Sequence, residues 1–152
     1  MHDKAVSPII ATILLIAITV TLAATFYTEV TPYFTQNQYF TPQAQIQVIS
    51  ENHTSDYRYY IYVSYFPESL PIREVDISII SNGTDISTNL ASIYPSSVFN
   101  TSGISMNMTI YTEGQEFNAG SYIFINISSP ISYLAFVDVA TGSNIVTFSS
   151  GQ

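Results

Sequence analysis

The chain has 152 residues, no cysteine and a formal net charge of −8, and only 9% of its residues are charged. Three basic side chains cannot neutralise a row of phosphates, so the composition excludes a nucleic-acid-binding role. Without cysteine, neither disulfides nor thiolate metal ligands contribute to the fold. Serine and threonine together number 36, which predicts a neutral surface rich in hydroxyl groups.

The first element is an uncharged apolar stretch from Ala5 to Thr28, AVSPIIATILLIAITVTLAATFYT. As a helix its 24 residues would be roughly 36 Å long, enough to cross the ~30 Å hydrocarbon core of a bilayer. Helix is the form in which a single lipid-exposed segment satisfies its own backbone groups. Ser7 and Pro8 predict that the helix starts there, because serine caps a first turn and proline needs no N–H partner in it.

Two interpretations of this stretch are open from the residues alone. In one, it is a secretory signal peptide cleaved after Ala23, although its apolar run exceeds the usual length of about 7 to 15 residues. In the other, the helix is retained, and its small residues favour this interpretation. They recur at spacings of four, three and four residues, so they share one face that a second helix could approach closely. This predicted packing face consists of Ala17, Thr21, Ala24 and Thr28.

The start of the chain, Lys4-Ala5-Val6-Ser7-Pro8-Ile9-Ile10-Ala11 followed by the apolar run, resembles the amino-terminal region of archaeal type IV pilins. The resemblance implies a class III signal peptide, recognised at Lys4, Ala5 and Val6 and cut by a prepilin peptidase before Val6. Such a cut leaves the helix attached to the mature protein. Bacterial type IV pilins usually carry a glutamate where this chain has Ile10, which points to the archaeal branch. Archaellins share the general plan, so a pilus and a swimming filament both remain open.

The rest of the chain reads as strands separated by Gly, Pro, Asn and Ser clusters. Apolar residues alternate with other residues in two of these strands, as Val75, Ile77 and Ile79 and as Ile123, Ile125 and Ile127, which predicts one buried face for each. We expect a leader at 1–5, a hydrophobic helix at 6–34, a polar linker at 35–43 and an outer domain at 44–152. The predicted fold class is α+β, with the long helix followed by an immunoglobulin-like Greek-key sandwich of about seven strands. The predicted strands are Ala44–Ser50, Tyr57–Phe66, Glu74–Ser81, Ile104–Thr112, Tyr122–Ser128, Tyr133–Val139 and Asn144–Ser149.

The strand RYYIYVSYF is aromatic on both faces. One face should belong to the core, and the other, with Tyr60, Tyr62 and Phe66, is a candidate contact surface for a neighbouring subunit. Tyrosine is also favoured in strands by packing alone, so an ordinary structural role remains open.

Five of the nine asparagines begin an Asn-x-Ser/Thr acceptor for N-linked glycans. These candidates are Asn52, Asn82, Asn100, Asn107 and Asn126. Glycosylation would place the outer domain on the far side of a membrane, which is consistent with Lys4 remaining inside. The alternative is that a chain rich in serine and threonine produces such triplets by chance.

The sequence offers little for catalysis, and we expect no enzymatic activity, no cofactor and no metal. His53 is the one histidine in the outer domain, and it belongs to no cluster with the spacing of metal ligands. Glu113 and Glu116 could bind a cation together with Asp85 or Asp138 if the fold brought them together, but solvated loop carboxylates are the simpler interpretation.

Together these features predict a structural subunit, a pilin, of an archaeal type IV pilus-like filament that serves adhesion at the cell surface. Its partners would be identical subunits packed through the helix, the prepilin peptidase, the assembly machinery, the membrane before assembly, and an adhesion target on a surface or cell. An archaellin-like subunit and a monomeric, membrane-anchored or secreted binding domain are the alternatives.

Processing should depend on the small residue before the cut. Replacing Ala5 by Leu should leave uncut precursor in the membrane, because the larger side chain would not fit a peptidase cleft that accepts alanine. Amino-terminal sequencing of the membrane fraction measures this. Mature chains that begin at Val6 in the variant would show that the junction is assigned wrongly.

Overall fold

The computed structural model describes residues 2–35 and 40–151, with side chains described over 6–31 and 40–151. The chain forms two compact units, Met1–Gln38 and Tyr39–Gln152. A long helix, α1, makes up the first unit and a β-rich domain the second, so the predicted α+β class is confirmed. The elements are α1 (His2–Thr35), β1 (Gln45–Asn52), β2 (Tyr57–Tyr65), β3 (Leu70–Pro71), a 3₁₀ turn (Ile72–Glu74), β4 (Val75–Ser81), β5 (Thr84–Asn89), α2 (Leu90–Ile93), β6 (Ser96–Thr101), β7 (Ile104–Tyr111), β8 (Glu116–Phe117), β9 (Tyr122–Ile127), β10 (Ile131–Asp138) and β11 (Asn144–Ser149).

Helix α1 begins at His2, five residues before the predicted start at Ser7, so that prediction is wrong for the uncut chain. Pro8 lies inside the helix and has no N–H to offer the carbonyl of Lys4. The helix continues through this point because the turns on either side keep their own hydrogen bonds.

The threonines of α1 turn their hydroxyl groups toward their own helix. Each of the six between Val6 and Thr31 donates to a backbone carbonyl three or four residues earlier, as in Thr12 to Pro8 (2.8 Å) and Thr19 to Leu15 (2.7 Å). A hydroxyl that already donates to a carbonyl costs less to bury in an apolar medium than an unpaired one. The threonines are therefore compatible with lipid and with neighbouring helices.

The β-rich domain is built from two antiparallel sheets. One has five strands in the order β1-β2-β9-β7-β6, and the other has four in the order β11-β10-β4-β5. Strands β3 and β8 form a separate two-stranded ribbon. Because neighbouring strands are often distant in sequence, the sheets depend on long-range pairing and not on hairpins alone.

One hydrophobic core lies between the two sheets. The alternation predicted for β4 and β9 is present, since Ile77 and Ile79 are fully buried on one strand and Ile123 and Ile125 on the other. Phe117 links the aromatic part of this core, with ring centroids 5.3 Å from Phe66 and 5.1 Å from Phe136. These contacts give the sandwich-like arrangement that the alternation indicated.

The structure adds four strands to the seven predicted: β3, β5, β6 and β8. Strands β5 and β6 lie at sheet edges and carry mostly polar residues, so the sequence pattern there is weak. Strands β3 and β8 have only two residues each, too few for any alternation. Hydrogen bonding of the domain also involves residues before Ala44, because Thr41 contacts the Thr141 hydroxyl and Gln43 donates to the Asn144 carbonyl at 3.1 Å.

A buried tyrosine joins the two sheets. The hydroxyl oxygen of Tyr59, in β2, accepts a hydrogen bond of 2.9 Å from the backbone N–H of Ile131, in β10. Tyr59 is 5% exposed and Ile131 is fully buried, so water does not replace this bond easily.

Replacing Tyr59 by Phe should lower the free energy of unfolding by about 1–3 kcal/mol, because the Ile131 N–H would stay buried without an acceptor. Urea unfolding of the detergent-solubilised chain, followed by tyrosine circular dichroism, measures it. Tyr60→Phe is the matched control, since the Tyr60 hydroxyl donates to the exposed Glu51 carboxylate, at 3.4 Å. Equal effects of the two substitutions would contradict the role of the buried bond.

Candidate functional site

Helix α1 has a long exposed apolar surface. Val6–Thr31 is long and apolar enough to cross a membrane, with 26 residues and a mean hydropathy of 2.5, and none of it is buried inside the structure. Leu15 and Leu22 are each 65% exposed. Such a surface needs an apolar environment, which either lipid or neighbouring helices can supply.

The leader junction lies within α1. The backbone of Lys4 and Ala5 is helical, but their side chains are outside the described residues. Val6 is the first residue whose side chain is described, and it is exposed. Recognition of these three residues by a peptidase therefore stays a prediction.

All four residues of the predicted packing face are exposed. The Thr21 hydroxyl donates to the Ala17 carbonyl at 2.7 Å, and the Thr28 hydroxyl donates to the Thr25 carbonyl at 2.9 Å. With the hydroxyl hydrogens directed at the backbone, the outer surface of this face consists mainly of small carbon groups. Its role in helix packing stays a prediction.

An aromatic cluster lies on the outer face of the five-stranded sheet. Tyr60 and Tyr62 pair directly with Phe124 and Tyr122 across β2 and β9, and Tyr122 pairs with Tyr111 across β9 and β7. Ring centroids are 5.1 Å apart for Tyr60 and Phe124, 6.3 Å for Tyr60 and Tyr122, and 5.6 Å for Tyr111 and Tyr122. Tyr62 is 44% exposed and Tyr111 is 58% exposed, so the cluster faces solvent.

The cluster differs from the contact surface predicted from the sequence. Tyr60 and Tyr62 belong to it, whereas Phe66 is 6% exposed and packs in the core against Phe117. Strand β2 ends at Tyr65, so the alternation of faces no longer applies at the next residue. Sequence reasoning missed Tyr111, Tyr122 and Phe124 as members, because only the pairing of β2, β9 and β7 brings them together.

One ionisable group of the cluster is perturbed. Burial raises the pKa of the Tyr122 hydroxyl above its ordinary value of 10.0, and the hydroxyls of Tyr60 and Tyr111 and the Glu51 carboxylate add to the rise. Negative charge on any of these neighbours disfavours the negatively charged tyrosinate form of Tyr122.

The five glycan acceptors occupy two kinds of position. Asn82 lies in the turn between β4 and β5 with a φ of 49°, and Asn52 and Asn100 lie in exposed parts of β1 and β6. Asn107 and Asn126 instead lie within β7 and β9, where they are directly paired on the outer face. Asn107 is exposed and Asn126 is half-buried. All five asparagines are thus reachable to some degree, and their modification stays a prediction.

Asp138 and Asp85, two carboxylates of the possible cation site, form separate hydrogen bonds. The Asp138 carboxylate accepts from the Ala140 N–H at 3.0 Å, and Asp85 accepts from the Ser78 hydroxyl at 3.1 Å. His53 lies 3.6 Å from Glu51. Among the described residues, no three His, Cys, Asp or Glu side chains lie together in a way that could hold a metal ion.

Comparison with known proteins gives one family. Residues 4–46 match the family described as archaeal type IV pilin, N-terminal, so the matched segment contains the predicted leader junction, α1 from Lys4 onward and the start of β1. The matched segment is 43 of the 152 residues and includes almost none of the β-rich domain. No curated protein matches the chain.

The raised pKa of Tyr122 predicts a loss of stability at alkaline pH. Above pH 10 the unfolded chain releases the phenolic proton before the folded chain does, so the free energy of unfolding should fall as pH rises toward the folded-state pKa. Tyr122→Phe removes this group and should make the decline shallower. Urea unfolding of parent and variant at several pH values above 10 measures it, and identical declines would contradict the assignment.

Proposed function

We propose that this chain, whose amino-terminal segment belongs to the archaeal type IV pilin N-terminal family, is the structural subunit of an extracellular type IV pilus-like filament. The observation that carries the proposal is that the family match coincides with a helix whose apolar surface is wholly uncovered in the single chain. A filament of identical subunits covers that surface without any other protein.

The proposed mechanism is a change of surroundings for one helix. Before assembly, lipid surrounds Val6–Thr31, and after assembly the same residues of neighbouring subunits replace the lipid. The threonine hydroxyls already donate to their own backbone, so the transfer breaks none of these bonds. The apolar surface therefore moves from one apolar medium to another without exposure to water.

Cleavage before Val6 would also place Pro8 at a more favourable position in the helix. In the uncut chain Pro8 lies in the helix interior and removes one backbone hydrogen bond. In a chain that begins at Val6, Pro8 is the third residue, within the first turn, where N–H groups have no partner in the helix. Processing would thus remove the residues for which the proline is unfavourable.

The β-rich domain would be displayed along the filament. Its surface has few charges and many hydroxyl groups, and its aromatic cluster supplies a solvent-facing apolar area on the five-stranded sheet. Exposed aromatic clusters of this kind are common at contact surfaces. These properties support adhesion to a surface or cell as the role of the filament.

Assembly should fail when the packing face is enlarged. Replacing both Ala17 and Ala24 by Leu would fill the groove in which a neighbouring helix lies, and overpacking costs about 1–3 kcal/mol per site. Membrane insertion should be unchanged, because leucine is more lipophilic than alanine. Filament counts by electron microscopy of material sheared from cells, with membrane levels by immunoblot, measure both effects.

The matched control replaces Ala11 and Ala23 by Leu, which adds the same number of carbon atoms on other faces of the helix. Filaments in both double variants would show that Ala17 and Ala24 do not form the interface. The amino terminus of the sheared parent protein tests the function itself. Filaments of chains that begin at Val6 support the pilin, whereas soluble monomers that begin at Ala24, or membrane-bound monomers that begin at Met1, would overturn it.

A further inference from the structure

Two glycan acceptors that are far apart in sequence are immediate neighbours in the fold. Asn107 of β7 and Asn126 of β9 pair directly in the antiparallel sheet, on the outer face. Side chains at such paired positions have Cβ atoms about 5 Å apart. A sugar ring with its hydroxyl groups is wider than this spacing, so a first sugar on one asparagine would obstruct access to the other.

The surroundings of this pair have two chemically different sides. On one side is a polar depression of about 260 Å³, lined by Ser55, Asp56, Ser105, Asn107, Asn126 and Ser128. On the other side is the aromatic cluster, where Phe124 precedes Asn126 by two residues and so projects from the same face of β9. The Tyr60 ring lies beside it, with ring centroids 5.1 Å apart.

We propose that Asn107 and Asn126 form a single glycosylation site that carries one glycan per chain, and that the first sugars lie over Phe124 with hydroxyl groups toward the polar depression. The inference rests on the proposed function in one respect. The β-rich domain must be exported across the membrane, because glycans are added on the far side.

The chemistry of a sugar fits both sides of the site. The C–H groups on one face of a sugar ring are apolar and can pack on an aromatic ring, which removes part of Phe124 from water. The sugar hydroxyls can exchange hydrogen bonds with the hydroxyls of Ser55 and Ser105, which line the depression, and can donate to the Asp56 carboxylate, which also accepts from Arg58. A bound glycan would therefore cover part of an apolar surface that is otherwise exposed.

The covalent step needs a lipid-linked sugar phosphate as the donor. The bond between C1 of the first sugar and the phosphate oxygen breaks, and the phosphate leaves with the bonding electron pair. A new bond forms between C1 and the asparagine Nδ2, which loses one proton to solvent. No atom changes oxidation state, so the step requires no oxidant or reductant.

None of the remaining acceptors has an aromatic residue two positions before it, although Asn52 pairs across the sheet with Tyr57. The residues two positions before Asn52, Asn82 and Asn100 are Ser50, Ile80 and Val98, and the one before Asn107 is Ser105. The neighbouring Phe124 thus favours Asn126 as the attachment point. The greater exposure of Asn107 favours attachment there, because a glycosylating enzyme reaches it more easily. Either attachment places the sugar over the same part of the sheet.

The test isolates the paired asparagines in the full chain. Asn52, Asn82 and Asn100 are replaced together by Gln, the protein is produced in its native cells, and its intact mass is measured. We expect the mass of one glycan on each chain. Chains with two glycans would overturn the single site, and chains with none would overturn modification here. Electron microscopy of the same cells keeps this result separate from the proposed function, because filaments of unmodified chains would refute only the glycan.

The position of the sugar is tested by stability. In the background with the other three acceptors removed, replacing Asn107 and Asn126 by Gln should lower the melting temperature by at least about 2 °C, since the glycan no longer covers the aromatic ring. Phe124→Leu should abolish this difference, whereas Tyr111→Leu, which changes another ring of the cluster farther from Asn126, should preserve it. Equal differences in the two backgrounds would overturn stacking on Phe124.

Discussion

The apolar surface of helix α1 is not buried within the chain, so lipid or another protein must cover it. The other features of this molecule are consistent with that constraint. No part of the apolar window in Val6–Thr31 is buried within the chain. Lipid satisfies the constraint for a single subunit and neighbouring helices satisfy it in a filament. The threonine hydroxyls that donate to their own backbone make both environments acceptable, because no unpaired donor is transferred with them.

The β-rich domain has a core of its own, so the proposed change in the surroundings of the helix requires no change in that core. Fully buried residues from both sheets, such as Ile61 and Phe136, form one cluster, and Tyr59 adds a buried hydrogen bond between the sheets. Stability of the domain therefore has a source within residues 40–151. The outer face of the five-stranded sheet is different, because its aromatic residues contact one another and also face solvent. A glycan at the adjacent asparagines would reduce that exposure, and it would add polar surface to a domain with few charges.

Much of the fold could be predicted from local patterns. The uncharged run before Glu29 predicted the helix, and strict alternation in β4 and β9 predicted strands with one buried face, which the structure contains. The predictions failed where local patterns are weak or interrupted. The polar edge strands β5 and β6 went unrecognised, Pro8 did not start the helix, and Phe66 turned into the core after β2 ended. In each case, burial or hydrogen bonding to distant residues outweighed the local preference.

By itself, the sequence determined the apolar helix, its small-residue spacing and the five glycan acceptors, and it predicted the leader junction, because each is a property of residues that are close together in the chain. Only the tertiary structure decided which of these residues and surfaces meet. The order β2-β9-β7 places Tyr111 and Phe124 near Tyr60, and it pairs Asn107 with Asn126. Strand order and register follow from how two sheets jointly bury their apolar faces, and that depends on all strands at once. No local stretch of sequence contains this information.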